Sequence, residues 1–269
     1  MANSRLEHTA EIGPGIENLP SVPKIDFLIM GFQKSGTTAL TYFLMQHPEI
    51  YIPRDKEIHF FDDDAFFERQ RVLVDYTEYH KNFEAGCDAK LTGEATPIYA
   101  YWKPSAPRIK QYNPHIKMIF LLRNPIDRAY SHYLLQRALG REPLSFSSAI
   151  RLERFLRLSD FPRQSRERSY VDRGFYTRQI RRLLRHFSRS QMLFIKTDDL
   201  RNDHSGTLDR VFDFLGVPRV GGIEPASINA NEYAPMSARD RAYLERRFRN
   251  EIRELEELLG WDCSRWAAS

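Results

Sequence analysis

The sequence predicts a single α/β domain whose central, mostly parallel sheet is flanked by helices, and three observations predict it. Short, nearly continuous apolar runs occur at Asp26–Gly31, Lys117–Arg123 and Met192–Lys196, the pattern of strands buried on both faces. Helix-like segments follow each run, so strands and helices alternate as parallel βαβ connections require. With 269 residues, 42% of them hydrophobic, the chain can bury one large core.

Residues 1–24 are polar and contain Gly13, Pro14, Gly15, Pro20 and Pro23, which reads as a flexible arm ahead of a domain spanning 25–269. The arm has no basic start followed by an apolar stretch, and the chain has no apolar run of membrane-spanning length. After the first strand comes a tight loop, Phe32 to Gly36, and a helix from Thr37 to His47 stopped by Pro48. Ile50–Pro53 and Glu57–Phe61 read as short extended pieces. The second strand, KMIFLLR at 117–123, is broken by Asn124-Pro125 before a helix from Asp127 to Leu139. Farther on, Phe175–Phe187 is helical, with Tyr176, Ile180, Leu183, Leu184 and Phe187 on one face. The third strand follows, then a helix from Leu208 to Leu215 ended by Gly216. The last helix runs from an N-cap at Ser237 to Gly260, with a core-facing stripe of Leu244, Phe248, Ile252, Leu255 and Leu259. Ligands of such folds sit beyond the carboxyl ends of the strands, which puts the Gly31–Thr38 loop and Arg123 on one rim.

Charge is unevenly spread. Residues 151–189 hold twelve arginines against four acids, while the whole chain carries only +4. The segment could face nucleic acid, an anionic acceptor or a carrier protein's acidic helix, and a solvated helix surface is the alternative. The two cysteines, Cys87 and Cys263, have no metal-like spacing and suit a reducing cytoplasm.

The segment Gly31-Phe-Gln-Lys-Ser-Gly-Thr-Thr38 joins a strand to a helix, where main-chain amides and the helix start form an anion site. It departs from the nucleoside-triphosphatase loop, because Thr37 follows Gly36 and the lysine lies inside the loop at Lys34. The strand at 117–122 also ends in Arg123 rather than in a carboxylate that could hold Mg²⁺. Phe194–Asp199 is a weaker, opposing signal for a metal-binding strand end. Asp62, Asp63 and Asp64 read as a solvated turn. Together these features favour a metal-free anion held by cations.

The loop KSGTT resembles the 5′-phosphosulfate loop of sulfotransferases that use 3′-phosphoadenosine 5′-phosphosulfate (PAPS). Arg123-Asn-Pro-Ile-Asp-Arg-Ala-Tyr-Ser131 resembles their 3′-phosphate site, and Arg54-Asp-Lys-Glu57-Ile-His59-Phe-Phe-Asp62 the base-carrying stretch of the heparan-sulfate-type and bacterial branch. Leu91–Pro97 and Arg173-Gly-Phe-Tyr176 are similar to further family segments, so the resemblance runs from Asp26 to the C-terminus.

The resemblance implies that Lys34, Ser35, Gly36, Thr37 and Thr38 hold the 5′-phosphosulfate. It implies too that Arg123 and Ser131 clamp the 3′-phosphate and that Gly174 and Tyr176 contact 3′-phosphoadenosine 5′-phosphate (PAP); Arg128 faces elsewhere on the helix and reads as structural. Glu57 becomes the base, and His59 orients the acceptor or donates to a sulfuryl oxygen. Alternation would place Glu57 and His59 on one face, and burial beside an anionic donor would raise the Glu57 pKa. Two departures stand out: Ala95 replaces a lysine of several relatives, and residues 229–236 lack the lysine- and glycine-rich closing loop.

The expectation is a cytoplasmic, bacterial-type sulfotransferase with PAPS as co-substrate and no metal. Its acceptor would be a small molecule, a carbohydrate or a carrier-bound group offering a hydroxyl or amine. An acidic partner at 151–189 is possible on this reading, and nucleic acid is not expected. The competing readings are a small-molecule kinase using ATP and Mg²⁺, and an arginine-rich protein that binds an anionic partner.

Overall fold

The computed structural model describes residues 24–54, 57–70, 73–86, 88–158, 166–226 and 234–267. Residues 1–23 of the expected N-terminal arm and the start of the 229–236 region therefore lie outside the described residues. Five strands, β1 (Phe27–Gly31), β2 (Ile50–Tyr51), β3 (Leu91–Ala95), β4 (Lys117–Leu122) and β5 (Met192–Lys196), form one all-parallel sheet in the order β2-β3-β1-β4-β5. The helices are α1 (Thr37–Leu44), α2 (Asp64–Arg69), α3 (Thr77–His80), α4 (Ser105–Tyr112), α5 (Pro125–Ala138) and α6 (Phe146–Leu158) in the first part of the chain. They continue as α7 (Tyr176–Leu183), α8 (Thr197–Asn202), α9 (His204–Leu215), α10 (Ala238–Leu259) and α11 (Ser264–Ala267).

The apolar strands follow from what covers them. Leu28, Met30, Met118, Phe120, Leu122 and Phe194 pack into one core with Ile109 of α4, Ile126 of α5, Ile180 of α7, and Leu244 and Phe248 of α10. The alternate residues Phe27, Ile29, Ile119, Leu121 and Ile195 enter a second core with Leu40 and Phe43 of α1 and Val211 and Phe212 of α9. Because both faces are covered, no position in β1 can be polar, and the strand reads as a continuous apolar run.

The strand order positions the site. From β1 the chain travels to one edge (β2, then β3), then crosses β1 to reach β4. The reversal opens a crevice at the carboxyl ends of β1 and β4. Ile29 pairs with Ala95 on one side, and Gly31 pairs with Phe120 on the other. The segments leaving β3, β1 and β4 thus emerge side by side.

Several boundaries moved. Glu57–Phe61 is not extended, since Glu57 and His59 have left-handed backbones. Leu91–Ala95, not read as a strand from the sequence, is the strand β3. Its polar letters hid it: Glu94 is buried against hydroxyls, and Gly93 lies where a Cβ would come within 2.2 Å of the Phe27 ring. α5 begins at Pro125, with Asn124 Oδ1 accepting from the Ile126 N–H at 3.0 Å. α7 ends at Leu183, and α9 starts four residues early, where Asp203 accepts from the Gly206 N–H. Ser237 caps α10 and Gly260, at φ 67°, ends it, as the sequence indicates.

Most described arginines of the 151–189 segment are occupied within the protein. Arg151 pairs with Asp240, Arg166 with Asp62, Arg178 with Asp172 and Arg181 with Glu254. Arg168, Arg182 and Arg189 donate to main-chain carbonyls, and Arg173 to the Gln33 side chain. Much of the segment's charge is therefore built into its own fold.

Candidate active site

The loop after β1 is an anion cradle in outline. Gly36 (φ 92°) sets the entry to α1, and the Ala39 and Leu40 N–H groups both return to its carbonyl at 3.1 Å. The Gly36, Thr37 and Thr38 amides have no acceptor among the described residues and stand at the positive end of the helix. Ser35 is buried, and its carbonyl accepts from Thr197 Oγ1 at 2.6 Å. The same hydroxyl donates to the Leu122 carbonyl at 3.1 Å, so one side chain fastens the loop to the end of β4. Thr37 is buried at the start of α1, and Thr38 is half-buried beside it.

Lys34 is half-buried and has no ionic or hydrogen-bond partner among the described residues. Burial lowers its pKa, the Arg123 cation lowers it further, and the Glu57 carboxylate raises it. Those causes place the three groups in one field. Arg123 leaves β4 beside the loop, half-buried, and no described carboxylate forms an ion pair with it. Burial lowers its pKa, while Asp127 and Asp198 oppose that shift and Arg201 reinforces it. Ser131 lies two helical turns into α5 and is nearly buried.

Tyr176 sits beneath this rim and is fully buried. Its hydroxyl donates to the Arg123 carbonyl at 2.9 Å, its ring centre lies 4.5 Å from that of Phe32, and burial pushes its phenol up to about 12. Gly174 has the Phe248 ring within 2.6 Å of where a Cβ would stand, so it packs against α10. Arg128 is fully buried and donates to the Tyr170 carbonyl, a structural place.

The third side of the crevice comes from β3. The Glu57 N–H donates to the Ala95 carbonyl at 3.0 Å, which brings the loop to the strand neighbouring β1. Glu57 and His59 do share a face, with His59 Nε2 3.6 Å from Glu57 Oε2. The cause is a left-handed backbone at both (φ 65° and 58°) rather than strand alternation. Glu57 is not buried as expected; its side chain is 41% exposed.

Asp62 also departs from expectation. It is no solvated turn residue but fully buried, with His59 Nδ1 at 3.1 Å and the Arg166 guanidinium on its other side. Arg166 stacks over the Trp102 ring at 4.2 Å, the Trp102 indole donates to Asp64 at 3.0 Å, and Arg108 binds Asp64 at 2.8 Å. The hydrogen bond to Asp62, and then that to Glu57, pushes the His59 pKa up to about 9, against the opposing effect of burial. His59 is therefore an imidazolium at neutral pH and a proton donor.

The loop is anchored from below. Tyr99 accepts from the Phe61 N–H at 3.3 Å and donates to Glu94 at 2.7 Å. Glu94 also accepts from Tyr79 at 2.6 Å and Thr96 at 2.5 Å. Among the described residues, Lys34, Glu57 and His59 are the non-glycine positions with positive φ. This conformation costs an L-residue about 1–2 kcal/mol. All three belong to the site, which is where such backbones concentrate.

Sequence reasoning missed Asp62 and Arg166 as site residues. The His-x-x-Asp spacing of His59 and Asp62 carried a signal for the first; nothing local pointed to an arginine 104 positions away. Asp198 and Asp199, the opposing metal signal, lie in the first turn of α8, engaged by the Trp266 indole and by Arg210. No group of three or more described His, Cys, Asp or Glu residues is placed to hold a metal ion. No described helix is long and apolar enough to cross a membrane.

A family model described as "Sulfotransferase domain" matches residues 24–232. The chain belongs to the sulfotransferase domain family. It is similar to human heparan sulfate glucosamine 3-O-sulfotransferase 6, 33% identical over 209 residues, covering 77% of this chain and 55% of that one. It is also similar to the bifunctional heparan sulfate N-deacetylase/N-sulfotransferase 1 of Caenorhabditis elegans, 31% identical over 78% of this chain and 24% of that one. The chain thus spans about half the length, or less, of the curated relatives it matches. Among solved structures, a sulfotransferase from Alicyclobacillus acidocaldarius superimposes with a TM-score of 0.75 at 29% identity, covering 91% of this chain and 99% of that one. That sulfotransferase is matched along nearly its whole length by the α/β fold described above.

Proposed function

We propose that this sulfotransferase moves the sulfuryl group of PAPS to a hydroxyl or amine of a small-molecule or carbohydrate acceptor, releasing PAP. The observation that carries the reading is the meeting of three strand ends. Arg123 after β4 and Glu57 beside β3 both act electrostatically on Lys34 after β1. Two fixed cations and a set of free amides suit a nucleotide with anionic groups at both ends.

In this reading Lys34, Ser35, Gly36, Thr37 and Thr38 line the 5′-phosphosulfate, while Arg123 and Ser131 take the 3′-phosphate. Tyr176 supports Arg123 through its carbonyl. Glu57 removes the acceptor proton, and the acceptor oxygen or nitrogen bonds to sulfur as the bond from sulfur to the 5′-phosphate oxygen breaks. Negative charge then gathers on the 5′-phosphate, where Lys34 and the loop amides stabilise it. His59 stays protonated, holds Glu57 by its Nε2 side, and donates rather than accepts.

The relatives named for heparan sulfate support a carbohydrate acceptor. A cytoplasmic setting belongs to the same reading, supported by the low cysteine content. The test is calorimetric titration of the protein with PAP, and with ATP in the presence and absence of Mg²⁺. Tight PAP binding in chelator, with weaker ATP binding that Mg²⁺ does not improve, is expected. Binding of ATP that requires Mg²⁺ and exceeds that of PAP would return the kinase reading.

A further inference from the structure

The last described turn of the chain closes onto the donor side of the crevice. Past α10 the Gly260 and Trp261 amides donate to the Glu256 carbonyl at 2.8 and 3.1 Å, and the Cys263 N–H donates to the Glu256 carboxylate at 2.8 Å. Lys196, at the end of β5, donates to the Asp262 carbonyl at 2.7 Å, and its ammonium lies 5.3 Å from the Trp261 ring centre. These bonds bring α11 to the carboxyl ends of β4 and β5. There Trp266 is 3% exposed, packs in the main core, and makes two hydrogen bonds to residues near Arg123. Its carbonyl accepts from Asn124 Nδ2 at 3.1 Å, and its indole N–H donates to Asp198 Oδ2 at 3.3 Å.

Both partners flank Arg123. Asn124 is the next residue and caps α5, the helix that carries Ser131. Asp198 lies in the first turn of α8, and its negative charge acts on Arg123. A carboxylate within reach of a guanidinium competes with any phosphate for it. The indole bond ties Asp198 to the C-terminal segment.

We propose that Trp266 is a positioning residue for the 3′-phosphate grip. It fixes the start of α5 through Asn124 and keeps Asp198 from closing on Arg123. The proposal rests on the reading of Arg123 and Ser131 as the 3′-phosphate site. Its consequence is selective: losing the indole donor lowers affinity for a nucleotide with a 3′-phosphate and leaves one without it unaffected.

The experiment measures calorimetric Kd values for PAP and for AMP with the wild-type protein, the Trp266→Phe variant and the Trp266→Phe/Asp198→Asn double variant. Phenylalanine keeps the ring in the core and removes only the donor. The net worth of one ordinary hydrogen bond sets the scale, roughly two- to tenfold weaker PAP binding, with AMP binding unchanged. In the double variant, where residue 198 carries no charge, PAP binding recovers. An unchanged preference for PAP over AMP in Trp266→Phe, an equal loss for both ligands, or a loss that Asp198→Asn does not relieve overturns the proposal. A wild-type protein that binds AMP as tightly as PAP fails one level earlier: it removes the donor-site reading and this inference with it.

Discussion

Replacing Asp62 with asparagine removes one negative charge from beneath His59 and leaves the side chain's size almost unchanged. His59 sits at about 9 rather than its ordinary 6.5, first because of the Asp62 hydrogen bond and second because of Glu57. Its side chain is 48% exposed, so solvent screens part of that effect, and the expected fall on losing Asp62 is roughly one unit or somewhat more. Arg166, left with Asp64 at 3.9 Å as its carboxylate, pushes in the same direction. The sign of the linkage is fixed by a raised folded-state pKa: the His59 contribution is fully present below 6.5 and is lost as pH rises through about 9. Asp62→Asn narrows that window from its alkaline end. The assay is an NMR titration of the His59 ring, with His59→Asn to assign the signal, beside the pH dependence of kcat/KM. Activity that needs the imidazolium declines near pH 9 in the wild type and about a unit lower in the variant. A His59 midpoint that stays near 9 in Asp62→Asn refutes the reasoning.

Other outcomes follow from the same geometry. Glu57→Gln lowers kcat by about 10²–10⁴ with PAP affinity retained, as expected for loss of a general base; full turnover with an authentic acceptor would take the base role from Glu57. Arg123→Ala weakens PAP binding by roughly 10- to 100-fold and leaves AMP binding nearly unchanged, since a charged hydrogen-bonded contact is lost at one phosphate only. An equal loss for both nucleotides would assign Arg123 to the 5′ end instead. Gly93→Ala places a Cβ 2.2 Å from the buried Phe27 ring and costs about 1–3 kcal/mol by overpacking, seen as a lower Tm; an unchanged melt would mean that β1 and β3 separate easily. Tyr99→Phe removes the donor to Glu94 and the acceptor for the Phe61 N–H. It should lower kcat more than it changes PAP affinity, because it loosens the Glu57 loop and not the donor loop.

What could be read from the sequence was whatever the chain writes locally. β1, β4 and β5 announce themselves because both of their faces are buried, and Ser237 and Gly260 bound α10 because caps are single-residue signals. β3 stayed hidden since its burial is satisfied by hydroxyls around Glu94, which looks polar in a string of letters. Lys34, Glu57 and Arg123 were legible as types at loop positions, and the strand order then brings them together. The Asp62–Arg166 pair was not legible, because its members meet only through tertiary folding across 104 positions. The left-handed turns at Glu57 and His59 were equally silent, since glutamate does not favour such a backbone and the enrichment of histidine there is too weak a signal in a single sequence.

Those turns have a consequence for evolution and engineering of the chain. Lys34, Glu57 and His59 each sit in a backbone state that glycine would adopt more comfortably, by about 1 kcal/mol per position. Substitutions such as Lys34→Gly should therefore yield a hardier, higher-melting protein with no useful turnover. Durability and chemistry pull against each other at these three positions, and selection for heat resistance alone would erase the working groups first.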